Sequence, residues 1–91
     1  MNLTTTTNGD GVVEFKCDPE YHRAVVRGEK TSEVRLLSRS EIADLRVLRP
    51  AYLLLTDIQG GNERFFPLSY HAEIGELLGN TLVLFCWRVV P

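Results

Sequence analysis

No hydrophobic run in this chain is long enough to cross a membrane as a helix. The longest, TLVLFCWRVV at residues 81–90, is about half the ~20 residues that such a span requires. No basic residue precedes an apolar stretch in the opening MNLTTTTNGDG, which argues against a secretory signal. The expectation is therefore a soluble, cytoplasmic protein with no membrane partner. Cysteine is scarce. Cys17 and Cys86 lie far apart, and without a secretory signal they read as free buried thiols rather than a disulfide.

Metal-ligand spacing is missing as well. Cys17 and His22 stand five residues apart, His71 and Cys86 are the only other soft ligands, and neither C-x-x-C nor H-x-x-x-H occurs. No metal and no cofactor is expected. The net charge of −2 gives no pull toward nucleic acid or anionic lipid. Internal repeats, low-complexity linkers and charge blocks are absent, as is any recognisable nucleic-acid motif.

What remains is an ordinary globular composition, 44% apolar and 24% charged over 91 residues, which suits one domain at 1–91. Residues 1–10 read as either mobile or an edge strand. Asn8–Gly11, NGDG, is a turn signal, after which Val13 and Phe15 alternate with Glu14 and Lys16 as in a strand. CDPEYHRAVVRG suits two readings. Asp18 as cap, Pro19 and Gly28 spell a short helix at 19–27, while Val25 and Val26 among arginines also suit a strand; the agreement of the caps favours helix.

SEVRLL reads as a strand, and Ser38 with Glu41 as a capping box opening a brief helix that stops before Pro50. AYLLLTD and ERFFP form a hairpin if Gly60 and Gly61 are its turn, with Asp57 opposite Arg64 and Leu55 opposite Phe66. Ser69 then caps a helix whose stripe is Tyr70, Ile74, Leu77 and Leu78, ended by Gly79 and Asn80; Thr81–Val90 is the last strand. The fold class expected is α+β, a mainly antiparallel sheet of five or six strands with two or three short helices packed on one face.

No catalytic residue emerges. Ser69 and His71 are two apart on the expected helix, so they do not face each other, and the cap hydroxyl is occupied by backbone amides. His71 would project into solvent. Gly60-Gly61 precedes a strand where a phosphate loop would need a helix. Asp57/Glu63 and Glu73/Glu76 lack the enclosed apolar setting that tunes a carboxyl for acid catalysis.

Basic residues are uneven. Eight of the ten Lys and Arg fall between Lys16 and Arg49 among six acids. Arg23, Arg27, Arg35, Arg39, Arg46 and Arg49 could gather as an anion or nucleic-acid patch, although intramolecular and surface ion pairs are the favoured explanation.

The last strand is apolar on both sides: Leu82, Leu84, Cys86 and Val90 on one, Val83, Phe85, Trp87 and Val89 on the other. Two-sided apolar strands need cover on both sides, and a few short helices can shelter only one. The sheet could close as a barrel, the helices could divide, or a second copy could pack on it. The expectation is a homodimer with Phe85, Trp87, Val83 and Val89 at the interface. The function that follows is a non-enzymatic, self-associating interaction protein with a protein or small-molecule ligand. A nucleic-acid-associated or regulatory protein using the arginines is the alternative, and a small enzyme with a fold-assembled site comes third.

Overall fold

The computed structural model describes residues 2–89. Its elements in chain order are β1 (Asn2–Thr5), β2 (Gly11–Cys17), α1 (Pro19–Val26), β3 (Ser32–Leu37), α2 (Arg39–Leu48), β4 (Tyr52–Asp57), β5 (Glu63–Leu77) and β6 (Asn80–Trp87). The strands form one mixed sheet in the order β1-β2-β4-β5-β6-β3, antiparallel except for β2 beside β4. The protein is thus α+β, with both helices contributing to a single core on one side of the sheet.

The helices form where their caps stand. Asp18 accepts from the Tyr21 amide at 2.8 Å and Pro19 occupies the first turn, so 19–26 is helical. In α2, Ser38 and Glu41 exchange reciprocal hydrogen bonds, Ser38 N to Glu41 Oε1 at 3.0 Å and Glu41 N to Ser38 Oγ at 3.3 Å. The helix ends in left-handed Arg49, with Pro50 behind it. Gly11 is required where α2 ends, because a Cβ there would lie 2.9 Å from the Leu48 carbonyl oxygen.

Two expectations about the second half are corrected. The Gly60-Gly61 turn is not a two-residue hairpin. Thr56 pairs with Glu63 and Leu55 with Arg64, so the register is shifted by two and the loop is longer. Asp57 organises that loop, its carboxylate accepting from the Gln59 amide at 2.9 Å and the Gly60 amide at 3.2 Å. Because the shift is an even number of residues, every side chain keeps its face.

The second correction is larger. Residues 69–78 are not a helix, and Ser69 caps nothing: they belong to the 15-residue strand β5 and its closing turn. Leu77 pairs with Asn80 across a two-residue turn, with Leu78 at φ 52° and Gly79 at φ 81°. Positive φ at both turn residues matches the twist of paired strands. A left-handed Gly serves a helix end equally well, so that signal did not discriminate. Pairing with the whole of β6 overrides the weak helical preference of Ala72, Glu73, Glu76 and Leu77.

β5 also bends. Its first part pairs with β4 and its remainder with β6, with register shifts between Leu68 and Tyr70 and between Glu73 and Gly75. Pro67 lies at the changeover, where its carbonyl accepts from Arg88 N at 3.0 Å. The bend folds the sheet over itself. β2 and β6 are three places apart, which would put them about 14 Å apart in a flat sheet. Yet the rings of Phe15 and Phe85 meet edge-on at 5.2 Å, and Phe15 and Trp87 at 6.5 Å.

This curl closes the core and overturns the expected interface. Val83 and Phe85 are 0% exposed and Trp87 3%, all enclosed by their own chain. Val89 packs against the same cluster. Val83, Phe85 and Trp87 lie on the helix-covered side, so they cannot anchor a second copy, while Val89 is half-buried. Among the described residues β6 ends at Trp87, short of the expected Val90, which lies outside them.

Candidate functional site

Chemistry-bearing side chains gather at three places. The first is the end of β2 and β4, where Cys17 pairs with Asp57 across the parallel ladder and α1 brings up His22. Cys, His and Asp are the types of a nucleophilic site, but the electrostatics run against it. Burial raises the Cys17 thiol, and the charges of Asp18 and Asp57 raise it further. A nucleophilic cysteine needs the opposite shift. The Asp57 carboxylate is committed to loop amides, which hold it below its ordinary range, with Asn62 and His22 adding to the effect. His22 Nε2 is buried without a hydrogen-bond partner. Among the described residues no group of three His, Cys, Asp or Glu could hold a metal.

The second place is a groove of about 290 Å³ between α2 and β5, lined by Leu45, Arg46, Arg49, His71, Ala72 and Glu73. His71 is not a solvated helix residue. It stands on β5, half-buried, stacked on Phe85 with ring centroids 6.3 Å apart. Arg46 spans the groove to Glu73, Nε to Oε2 at 2.9 Å, which lowers the Glu73 carboxyl and raises the guanidinium.

The third is a cleft of about 270 Å³ lined by Asn2, Glu14, Phe15, Lys16 and Arg35. Arg35 lays its guanidinium over the Phe15 ring, 4.5 Å from the centroid, and its Nε is buried with no acceptor. Tyr21 donates its hydroxyl to Glu33 Oε2 at 2.7 Å; burial above all, then Glu33, raises that phenol.

The six arginines are therefore spread over three elements. Arg23 stands on α1, and Arg27 caps its C-terminal end. Arg35 is on β3, and Arg39, Arg46 and Arg49 run along α2 and its end. Arg46 and Arg49 share the second groove, whereas Arg35 lines a different cleft. Cys17 and Cys86 are free, the first buried and the second half-buried.

A further feature is a face rather than a cluster. The pairings put Val34 opposite Leu84, Leu36 opposite Leu82, Ala72 opposite Leu84 and Tyr70 opposite Cys86, all on the side away from the helices. The charges of the same strands, Glu33, Arg35, His71 and Glu73, alternate onto the helix side. The outer face of β3, β6 and the second half of β5 thus carries no Asp, Glu, Lys, Arg or His at any paired position. It is also open: Val34 is 44% exposed, Leu36 45% and Tyr70 56%. The alternation was visible in the sequence; which side the helices would take was not.

No family model matches this chain, and no curated protein and no solved structure matches it either. No described helix is long and apolar enough to cross a membrane.

Proposed function

We propose that this protein is a non-enzymatic interaction module that pairs with a second copy of itself through the outer face of β3, β6 and the end of β5. The observation that carries this reading is the open, charge-free apolar surface bearing Val34, Leu36 and Tyr70. Apolar side chains this exposed and contiguous mark interaction surfaces in soluble proteins. The exposed fractions there, with Ile74 and Leu77 alongside, amount to roughly 500 Å² of apolar surface, close to the apolar share of the ~800 Å² per partner in a standard interface.

Charge and the free sheet edge both favour a second copy as the occupant. A two-fold contact lays an uncharged face on an uncharged face, so no ion is buried without a partner. Nucleic acid or an anionic surface would find no cation there. β3 is moreover an outer strand of the sheet, leaving its free backbone edge beside the same patch for pairing with a copy.

The test is solution mass by light scattering across micromolar to millimolar concentration. The wild type should run at twice the 10.3 kDa chain mass, and Leu36→Glu, an exposed position, should run as a folded monomer. A wild type that stays monomeric throughout, or a Leu36→Glu dimer of unchanged affinity, overturns the proposal.

A further inference from the structure

We infer that the cleft between β2 and β3 is a binding site for a small oxyanion, a carboxylate or phosphoryl group, held by Arg35 and Lys16. It is separate from the outer face and does not depend on pairing.

Arg35 is a cation with no carboxylate partner among the described residues, although it donates a hydrogen bond to the Tyr21 hydroxyl. Arg35 points to the core side of β3 and is half-buried against the Phe15 ring. No acid among the described residues lies within ion-pair distance of it; the ion pairs between described residues join Lys30 to Glu33 and Arg46 to Glu73. Glu33, two residues before it on the same face, is already engaged by the Tyr21 hydroxyl and by Lys30 at 3.9 Å. A guanidinium carries five donors, and this one has Nε shut away from water with no acceptor. The Tyr21 hydroxyl and the Phe15 ring offset part of the cost of desolvating this charge, but Nε is left without an acceptor, and such a group is most simply completed by a ligand.

The cleft supplies the rest. Lys16, exposed and without an ion-pair partner among the described residues, lines it beside Arg35. Glu14 lines it too, but both its oxygens are committed: Asn2 Nδ2 donates to Oε1 at 3.1 Å and Thr56 Oγ1 to Oε2 at 2.9 Å. Its remaining charge is outweighed by the two cations. β1 pairs only with Gly11–Glu14, so beyond Glu14 the flank of β2 on that side has no paired strand. The volume of about 270 Å³ lies just below the range of drug-sized sites, so the ligand is small. The fork of an arginine matches two oxygens of one anion, and a lysine adds a point charge.

The experiment is a titration of the isotope-labelled protein at low salt with sodium acetate and, separately, inorganic phosphate, followed by NMR at the Arg35 Nε–H and the Phe15 and Lys16 amides. Saturable shifts confined to the cleft are expected with at least one anion. Saturation by acetate alone assigns carboxylates, and saturation by phosphate alone assigns phosphoryl groups. Arg35→Gln should weaken binding at least tenfold, the scale of one charge-assisted bond. Lys16→Glu, at an exposed position that leaves the core intact, should abolish it. Arg64, an exposed arginine also set over a phenylalanine, is the control, and Arg64→Gln should leave the titration unchanged. Linear, non-saturating shifts with both anions, or wild-type binding by Lys16→Glu, overturn the inference.

Discussion

Phe15 of β2 meets Phe85 of β6 edge-on, ring centroids 5.2 Å apart, although two strands lie between them in the sheet. The contact is the keystone of the curl. Phe85→Ala should lower unfolding free energy by about 3–5 kcal/mol in urea titrations, because removing a ring that is 0% exposed loses its burial and leaves a cavity. Trp87→Glu should give an unfolded or insoluble chain rather than a folded monomer, since the side chain is 3% exposed inside its own core. A soluble, folded Trp87→Glu protein would contradict the burial described above.

Acid should unfold the protein partly through Asp57 and Glu41. The Gln59 amide is the largest influence holding the first carboxyl below its ordinary range, and the Ser38 amide the second. A carboxyl lowered on folding stabilises fully above its unfolded pKa, about 4, and that contribution is lost as pH falls through the folded value. Asp57→Asn should be less stable at neutral pH, with a shallower loss of stability toward pH 2. An unchanged acid limb would show that the loop hydrogen bonds carry no pH dependence.

The Leu78 backbone is left-handed, and the side chain is 93% exposed, so its conformation is not repaid by packing. A branched or bulky residue in this region costs about 1–2 kcal/mol. Leu78→Asn should therefore stabilise the protein by about 0.5–1 kcal/mol in denaturant, since asparagine tolerates that region and favours this turn. A destabilised Leu78→Asn would mean that the exposed leucine has a role in the folded monomer.

The two thiols should differ in reactivity. Cys17 is buried and its ionisation is pushed up, whereas Cys86 is half-buried on the open outer side of β6. Maleimide labelling of the native protein should modify Cys86 first by at least an order of magnitude. The rate at Cys86 should also fall with increasing protein concentration if the outer face is occupied by a copy. Equal rates at both cysteines would contradict the enclosure of Cys17.

The legible parts of the sequence were those whose signals are local. Asp18-Pro19 and the Ser38/Glu41 pair announce α1 and α2 because caps act within a single turn. The two-sided apolar character of β6 was equally plain. The illegible parts depended on distant partners. Tyr70, Ile74, Leu77 and Leu78 fit a helical stripe, and only the neighbouring β6 turns that stretch into a strand. The side on which α1 and α2 pack decides whether Phe85 and Trp87 or Leu82 and Leu84 are covered, and no feature of β6 itself encodes it. The Lys16–Arg35 cleft was invisible for the same reason: 19 residues separate them, and the curl brings them to one opening.

β5 belongs to both halves of the folded sheet, a single 15-residue backbone shared by two ladders. Neither half can detach without stripping hydrogen bonds from the other. Amide hydrogens across β4, β5 and β6 should thus exchange with solvent at one common rate, set by global unfolding rather than by separate local openings.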